Sequence, residues 1–179
     1  MKRVLLTAVA VFGFAFANAQ DATIKAGVHV GMPMGDIKDL TTLNVGADFT
    51  YLWEVADSFK AGFSTGITAY LPKEQEFSYP SFDLATFTFT TVTEKVKGDT
   101  VLFLPVTGSA EYSFTENIFV GADLGYAVGL APDGVEGGLL YQPKLGYQTE
   151  KIALTLGYKA ISQEGGSYSS VNLGFGYKF

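Results

Sequence analysis

The chain has 179 residues, enough for one domain, and carries 12 basic against 18 acidic residues, a formal net charge of −6 at pH 7. This excess of acid argues against nucleic acid as a partner and makes anionic lipid surfaces poor ones. The chain has no cysteine, which excludes both a disulfide and a lipoprotein anchor.

The N-terminal residues 1–19 have the features of a secretory signal peptide. Two basic residues precede an apolar run over residues 4–17, which ends in the small-x-small sequence Ala-Asn-Ala. The run is short for a membrane-spanning helix, so a membrane anchor or a buried first helix is the weaker interpretation. We therefore predict export, cleavage after Ala19, and one mature domain over residues 20–179. That domain keeps ten lysines, no arginine and 18 acidic residues.

The mature domain is rich in Gly, Tyr, Phe and Thr, and no stretch of it has the periodicity of an amphipathic helix. Apolar and polar residues instead alternate along eight segments, which is the pattern of strands with two different faces. We predict an all-β fold with eight strands, at Ala22–Met34, Thr42–Val55, Phe59–Leu71, Val101–Phe114, Ile118–Leu130, Gly138–Gln148, Ile152–Ile161 and Tyr168–Phe179.

The two faces of these strands differ in charge, since one face has no charged residue and the other combines small residues with charged ones. Alternation alone also fits a water-soluble barrel, but that barrel would have to pack rings such as Trp53, Tyr112 and Tyr158 inside a narrow cylinder. A membrane barrel, which places these rings in lipid and the charged residues in a filled interior, fits the sequence better. We therefore predict an eight-stranded antiparallel up-and-down transmembrane β-barrel. Its lumen holds a polar network of Lys25, His29, Asp48, Glu54, Lys60, Glu111, Asp123, Lys144 and Lys159.

The predicted connections alternate between three short turns and four longer segments. This asymmetry is typical of outer-membrane barrels, which have short periplasmic turns and long extracellular loops. Aromatic side chains are expected at the membrane interfaces, and placing the short turns in the periplasm collects many of them at the lower rim. The predicted aromatic girdle consists of Tyr51, Trp53, Phe59, Tyr112, Phe114, Tyr147, Tyr177 and Phe179.

The segment FLPVTGSAEYSFTENIFVGADLGYAVG, residues 103–129, is similar to the outer-membrane β-barrel domains of Bacteroidota known as PorT-like. This segment and the PorT-like domains share a proline-bearing strand, a short turn and a glycine-rich strand. The whole mature chain also resembles small OmpX-like barrels. The resemblance implies that the protein lies in the outer membrane of a Gram-negative bacterium. It also implies that the barrel assembly machinery reads the aromatic residues of the last strand, Phe175, Tyr177 and Phe179.

Charges that face a narrow lumen are costly unless they are paired, so we expect the inward acids and lysines to neutralise one another. Glu54 and Lys60, which flank the turn at residues 56–58, are the expected cross-strand pair. We predict a monomer with a filled lumen and a structural or surface-interaction role, surrounded by outer-membrane lipid and without cofactor or metal. A narrow pore for ions or small solutes is the alternative.

A more remote alternative is a barrel enzyme that modifies lipid or cleaves peptides. His29 is the only histidine, and its inward position beside Asp48 of the next strand could bring a base and a carboxylate together. The sequence has no recognisable nucleophile motif, metal cluster or phosphate-binding loop. We therefore predict no catalysis and interpret His29 as a member of the polar network.

The longest connection, residues 72–100, alternates between Phe and Thr and is predicted to extend the neighbouring strands beyond the membrane as a hairpin or flap. A protruding strand edge can recruit another chain by β-augmentation, so adhesion or partner binding is the second functional hypothesis. A loop that only covers the barrel mouth is the competing interpretation. The four longer connections hold ten acids and four lysines. The possible recognition residues are Tyr79, Phe82, Phe87 and Phe89.

Overall fold

The computed structural model describes residues 22–83 and 88–179, so the predicted signal peptide lies outside the described residues. A 3-10 turn, Gly35–Ile37, follows the first strand, and no helix in the described ranges is long and apolar enough to cross a membrane. The strands of the described ranges are β1 (Ala22–Met34), β2 (Thr41–Ala56), β3 (Phe59–Pro72), β4 (Glu74–Asp83), β5 (Thr88–Lys97), β6 (Val101–Ser113), β7 (Ile118–Ala131), β8 (Gly138–Gln148), β9 (Ile152–Gln163) and β10 (Gly166–Lys178).

Eight of these strands close into a barrel in the order β1-β2-β3-β6-β7-β8-β9-β10, and every neighbouring pair is antiparallel. The barrel closes where β1 pairs with β10, with Val28 opposite Phe175. The turns after β2, β6 and β8 define the lower end, and the upper end carries the remaining connections. The predicted eight-stranded antiparallel barrel is confirmed, and the ends of each strand lie within two residues of those predicted.

The connection predicted over residues 162–167 is shorter than expected. Strands β9 and β10 continue to pair up to Gln163 and Gly166, which leaves a two-residue turn between them. Gly165 in this turn has φ +95°, a conformation that glycine adopts without the steric cost of a Cβ atom. The upper end therefore combines one tight turn with longer connections.

Strands β4 and β5 form a separate two-stranded sheet inserted between β3 and β6. Their register runs from the Glu74–Lys97 pair at the base to the Asp83–Thr88 pair at the far end. The hairpin predicted for the long connection is thus confirmed. Residues 84–87, between these two strands in the sequence, lie outside the described residues, and Phe87 with them.

Hydroxyl side chains fix two of the lower turns. The Thr115 Oγ1 atom accepts hydrogen bonds from the backbone N–H groups of Asn117 at 3.3 Å and Ile118 at 3.0 Å. Thr149 Oγ1 accepts one from the N–H of Ile152 at 3.2 Å. Short hydroxyl side chains that bond to nearby backbone groups favour turns over continued strands, so β7 and β9 begin where these residues place them.

The alternation of the strands separates an outer face of exposed apolar side chains from an inner face of buried residues. The inner face is not only polar. At the upper end, the barrel interior holds a cluster of buried apolar residues, which we term the upper apolar layer: Ile37, Tyr70, Phe103, Ala127, Leu140 and Ile161. At the lower end, Leu52 and Phe119 are fully buried.

Gly146 of β8 makes room for the ring of Phe119. The two residues are register partners on β7 and β8, and a Cβ atom at position 146 would lie 2.2 Å from Phe119 Cζ. Real Cβ atoms do not approach a ring so closely, so the buried ring depends on the missing side chain at position 146.

Candidate functional site in the barrel interior

The predicted polar network lies inside the barrel, with one exception. Seven of the nine residues have buried or nearly buried side chains or face the interior cavity, and Lys60 is half-buried near the lower end. Glu54 is exposed beside the β2–β3 turn. With Glu54 exposed, four lysines of the network face three carboxylates in the interior, and Lys178 of β10 adds a further ammonium group near Gln148 at the lower end.

The lower charge cluster consists of Lys25, Ser109, Glu111, Asp123 and Lys144. Lys25 Nζ donates to Glu111 Oε2 at 2.5 Å, although β1 and β6 are not adjacent in the barrel. Lys144 Nζ lies 3.4 Å from Glu111 Oε1 and 2.8 Å from Asp123 Oδ1. Ser109 Oγ also donates to Asp123 Oδ1, at 2.5 Å. The cluster ties strands β1, β6, β7 and β8 together across the interior.

The ring of Phe119 borders the lower charge cluster. Lys25 Nζ lies 4.7 Å from the centroid of this ring, within the range of a cation–π contact. The same ammonium group therefore interacts with a carboxylate and with a π-face. The two contacts together offset part of the cost of burying the ammonium group.

A second cluster, which we term the His29 cluster, contains His29, Asp48, Thr68 and Lys159, with Asn44 beside Thr68. His29 Nδ1 lies 2.5 Å from Asp48 Oδ2, and Lys159 Nζ lies 3.2 Å from His29 Nε2. With Lys159 protonated, its ammonium group can only donate, so Nε2 accepts and Nδ1 donates its proton to Asp48.

Neighbouring residues hold His29 in place. Thr68 Oγ1 lies 3.2 Å from His29 Nε2 and accepts a hydrogen bond from Asn44 Nδ2 at 2.8 Å, so its own hydroxyl proton is free to point at the ring. Gly46 is the register partner of His29 on β2, and a Cβ atom there would lie 2.4 Å from His29 Cε1. The imidazole thus occupies space that any side chain at position 46 would fill.

Asp48, His29 and Thr68 have the order of a carboxylate, a base and a hydroxyl, which is the arrangement of a catalytic triad. Thr68 is fully buried, however, and Lys159 also occupies the Nε2 atom of the histidine. A substrate therefore has no path to the hydroxyl in this arrangement. Among the described residues, no group of three or more His, Asp or Glu side chains is placed to hold a metal ion.

The predicted Glu54–Lys60 pair is not the contact that Lys60 makes. The two residues are register partners on β2 and β3, as the sequence predicted. Lys60 Nζ nevertheless donates to Thr23 Oγ1 of β1 at 2.9 Å, and Glu54 is exposed. The ammonium group of Lys60 reaches across β2 to Thr23, whereas the side chain of Glu54 is exposed. The prediction was right about the register and wrong about the partner.

A cavity of about 80 Å³ lies in the middle of the lumen, between the two charge clusters. Asp48 and Lys159 line it from the His29 cluster, and Glu111 and Lys144 line it from the lower charge cluster. A cavity of this size with charged walls suits a few water molecules. Above it, the upper apolar layer packs rings against one another, with Tyr70 and Phe103 at a centroid distance of 6.2 Å.

Sequence reasoning missed the upper apolar layer, although a signal for it was present. Tyr70 shares the inward parity of Lys60 on β3, and Phe103 shares that of Glu111 on β6. If every residue that alternates in step with the inward charges had been assigned to the lumen, whether polar or apolar, both rings would have been predicted inside. The same holds for Phe119, which shares the parity of Asp123.

The aromatic girdle lies at the lower end of the barrel. Tyr51 contacts Phe63 in a stacked arrangement with a centroid distance of 5.5 Å and contacts Trp53 at 6.1 Å. Three pairs of rings, each on one strand or just past its end, form tilted or T-shaped contacts: Tyr51–Trp53, Tyr112–Phe114 and Tyr177–Phe179. The exposed members of the girdle are Tyr112, Phe114, Tyr147, Tyr177 and Phe179, and Phe175 is exposed nearby on β10.

Three of the four residues proposed for recognition lie on the strands of the hairpin, and Phe87 lies outside the described residues. Tyr79 is exposed, and its hydroxyl donates to Glu94 Oε1 at 3.0 Å. Phe89 of β5 is 78% exposed, and Phe82 is its register partner on β4. The structure thus brings three of the four residues to the same hairpin, two of them at paired positions.

No protein-family model matches the sequence, and no curated protein matches it either. Solved structures do match the fold. The outer membrane protein Ail of Yersinia pestis, in a phospholipid bilayer nanodisc, superposes with a TM-score of 0.54 at 16% identity over 88% of this chain and 98% of Ail. A de novo designed transmembrane β-barrel superposes with a TM-score of 0.51 at 14% identity over 88% of this chain and 95% of the design.

This chain has the fold of a small outer-membrane β-barrel. At identities of 14–16% the likeness concerns the fold alone. The relation to the PorT-like domains of Bacteroidota stays a prediction from the sequence.

Proposed function

We propose that this protein is an integral outer-membrane β-barrel of a Gram-negative bacterium, a monomer whose lumen is filled by side chains and whose role is structural or in surface interaction. The observation that carries the proposal is inverted polarity: charged side chains are buried inside the barrel, and apolar ones are exposed around it. A water-soluble barrel has the opposite distribution.

Exposed apolar side chains encircle the barrel. Apolar patches larger than about 600 Å² are rare on soluble monomers, whereas here every barrel strand contributes to one belt. Lipid removes the cost of exposing such a belt, and its aromatic rings suit the membrane interface. One exposed member from each strand is Val28, Phe49, Ile67, Val106, Leu124, Leu145, Leu154 and Leu173.

The contents of the lumen favour a closed barrel over a pore. Ion pairs span the lower half, the upper apolar layer fills the upper half, and the cavity between them measures only about 80 Å³. Eight-stranded barrels are just wide enough for side chains to fill. The same filling leaves a substrate no access to the His29 cluster, so we propose no catalysis.

Ion conductance of the refolded protein in a planar lipid bilayer tests this proposal. A heat-dependent shift in gel mobility first establishes that the preparation contains a folded barrel. We expect no discrete conductance steps from such a preparation. Reproducible steps would overturn the closed lumen and make Lys25, Asp48 and Lys159 pore-lining candidates, and absence of the gel shift from every refolded sample would overturn the barrel itself.

A second candidate, surface interaction through the β4–β5 hairpin, is favoured by the placement of that hairpin. It stands apart from the barrel sheet as a two-stranded ladder at the upper end and exposes Phe77, Tyr79 and Phe89. An isolated two-stranded hairpin is only marginally stable in water, so a third strand from a partner would stabilise it.

Trypsin treatment of intact cells tests whether the hairpin faces outwards. Lys95 and Lys97 lie on β5, and we expect cleavage there without breaking the cells. A variant with both lysines changed to glutamine is the matched control, because it keeps the hairpin and removes the cleavage sites. Cleavage of wild type only in broken cells would contradict the proposed placement.

A further inference from the structure

The hairpin of β4 and β5 has two long edges, one on each strand, because its sheet contains only these two strands. Each strand directs half of its backbone N–H and C=O groups away from its partner, where a further strand could bind them. Over residues 90–97 of β5, the described part of the chain offers these groups no backbone partner outside β4. The two edges are not equivalent, and the difference begins with the sequence of β4.

Pro80 interrupts the open edge of β4. A proline nitrogen carries no hydrogen and cannot donate to a ladder, so a proline inside a strand turns its nitrogen towards the open edge. The pairing with β5 continues through the Pro80–Thr91 pair, which agrees with this orientation. Just before β4, the backbone N–H of Lys73 is already bonded to Leu40 O at 2.8 Å. The open edge of β4 is therefore a poor template for a further strand.

The open edge of β5 has no such interruption. Opposite residues of an antiparallel pair direct their backbone groups either towards each other or both away. Because Pro80 turns outwards, Thr91 opposite it also turns outwards. The same holds at two-residue steps along β5, for Thr93, Lys95 and Lys97. The strand TFTTVTEKVK contains no proline or glycine and is rich in residues that favour strands, so it presents a continuous row of backbone donors and acceptors.

The side chains of these outward-bonding residues share one face of the hairpin, which we term the charged face. On it, Lys95 Nζ lies 3.1 Å from Glu76 Oε1, and Lys97 is the register partner of Glu74. A strand added on the other side of β5 would meet the same two lysines, because opposite residues of neighbouring strands stand on the same face. Lysines on an edge strand discourage indiscriminate pairing, so the partner that fits is one that brings carboxylates.

A second copy of this chain cannot bring those carboxylates through its own β5. The single acid of β5, Glu94, lies on the face opposite to that of Lys95 and Lys97, where it accepts a hydrogen bond from the Tyr79 hydroxyl at 3.0 Å. Two paired β5 strands therefore place no carboxylate opposite a lysine in any antiparallel register. The interrupted edge of β4 is no better for self-association, so the page favours a different chain as the partner.

We propose that the open edge of β5 binds an extended, acidic segment of a partner protein as a third, antiparallel strand, with carboxylates at alternate positions opposite Lys95 and Lys97. The proposal rests on the proposed role of the hairpin in surface interaction and goes further by naming the edge and the chemistry of the partner. Backbone hydrogen bonds hold the added strand, and its two carboxylates select it. The side-chain pattern that fits is present in β4, where the two glutamates are followed by Ser78, whose hydroxyl lies 2.9 Å from Thr93 Oγ1.

Binding of a synthetic strand to the refolded protein in lipid nanodiscs tests the proposal. The probe is Glu-Gln-Glu-Phe-Ser-Tyr-Thr-Ser carrying a fluorescent dye, read by fluorescence anisotropy. It repeats β4 from Glu74 to Ser81 with Thr in place of Pro80. A matched peptide replaces both Glu by Lys. We expect saturable binding of the probe and none of the lysine peptide, because like charges would then face each other on neighbouring strands. Equal binding of the two peptides would overturn the proposed partner chemistry.

Two N-methylated forms of the probe identify the edge. A strand at the open edge of β5 directs the N–H groups of its Glu and Ser residues at β5. Methylation of the second Glu and the first Ser nitrogens should therefore abolish binding, and methylation of the Phe and Tyr nitrogens should leave it intact. The reverse result would mean that the probe displaces β4 from its own place beside β5, which would overturn binding at the open edge.

Thr93→Pro and Ser78→Pro are a matched pair of protein variants. The two residues are register partners, and each substitution removes the same hydroxyl contact and one outward backbone N–H, from β5 or from β4. We expect Thr93→Pro to abolish binding of the probe and Ser78→Pro to leave it unchanged. Loss of binding in Ser78→Pro alone would place the site on β4 and overturn the proposal. The methylated peptides leave the protein unaltered, so they decide the edge even if a proline variant unfolds the hairpin.

The lysines are tested separately from the backbone. In the variant with Lys95 and Lys97 both changed to glutamine, we expect roughly fivefold weaker binding of the probe, because two cross-strand charge pairs are lost. Unchanged binding would overturn the role of the two carboxylates. Pairing of nanodiscs that each hold one barrel, if Thr93→Pro abolished it, would identify a second copy as the occupant of the edge and overturn the acidic partner.

Trypsin cleavage on intact cells and binding of the probe can fail separately. A hairpin that is cleaved on intact cells but does not bind the probe keeps its outward placement and overturns the acidic partner strand. Binding of the probe in nanodiscs together with protection from trypsin on intact cells would support the edge of β5 and overturn only the outward placement of the hairpin.

Discussion

Lys25 and Glu111 lie 86 residues apart on strands that are not neighbours in the barrel, yet their side chains meet at 2.5 Å across the interior. Lys144 approaches the other oxygen of the same carboxylate at 3.4 Å, so Glu111 serves two ammonium groups. Both side chains of the Lys25–Glu111 pair are at least nine-tenths buried. The contact therefore joins opposite walls of the barrel through a group that water hardly reaches.

Removing this carboxylate should destabilise the barrel. Glu111→Gln leaves Lys25 buried without a carboxylate partner, and breaking a buried ion pair on one side costs about 3–5 kcal/mol. The measurement is the free energy of unfolding from a urea titration of the protein in lipid vesicles. Glu76→Gln is the matched control, because Glu76 pairs with Lys95 at 3.1 Å on the exposed hairpin, where ion pairs contribute less than about 1 kcal/mol. If both variants lost the same free energy of unfolding, a structural role for the interior network would be contradicted.

Placing a charge in the apolar belt should be costly only if that belt faces lipid. Leu124 at the centre of β7 is 61% exposed, and Leu40 in the β1–β2 connection is 55% exposed. In lipid, Leu124→Lys should cost about 2–4 kcal/mol of folding free energy, whereas Leu40→Lys should cost little because water surrounds that connection. Unfolding titrations in vesicles measure both. If the two substitutions behaved alike, the membrane placement of the barrel would be wrong.

The fold could be predicted because strand alternation has a period of two residues and needs no knowledge of distant partners. Parity also placed His29, Asp48 and Glu111 on the inward face. Their partners could not be predicted in the same way. The Lys25–Glu111 and Lys159–His29 contacts each skip at least one strand, and such contacts depend on the curvature of the closed barrel rather than on sequence spacing.

The sequence failed to predict two features for different reasons. One is the upper apolar layer, and the other is the pocket of about 370 Å³ between the hairpin base and the β1–β2 connection. Tyr70 and Phe103 have inward parity and were overlooked because only polar residues were assigned to the lumen. The pocket could not have been found by any strand rule, because Leu40, Phe77 and Tyr168 come together through the conformation of connections. Loop conformation depends on contacts such as the Lys73–Leu40 hydrogen bond, which no periodicity encodes.

Gly146 should not tolerate even one added methyl group. In Gly146→Ala the new Cβ would meet the fully buried ring of Phe119, so the ring must move within a packed interior at a cost of about 1–3 kcal/mol. Gly98→Ala is the control, since its Cβ would be 3.6 Å from Pro72 Cβ, an ordinary contact distance. Urea unfolding measures both variants. Adding Phe119→Leu to Gly146→Ala should recover part of the loss, and no recovery would mean that the ring is not the obstacle.

In the structure Lys60 contacts Thr23, whereas the sequence predicted a pair with Glu54, and the energetic coupling of Lys60 to each residue can be measured. A double-mutant cycle with Thr23→Val and Lys60→Met should show a coupling of about 0.5–1.5 kcal/mol, because the two side chains form a hydrogen bond of 2.9 Å. The parallel cycle with Glu54→Gln and Lys60→Met should show a coupling near zero, since Glu54 is exposed beside the turn. Both cycles are measured by urea unfolding in vesicles. A larger coupling to Glu54 than to Thr23 would restore the predicted pair and place the Lys60 ammonium group outside the lumen.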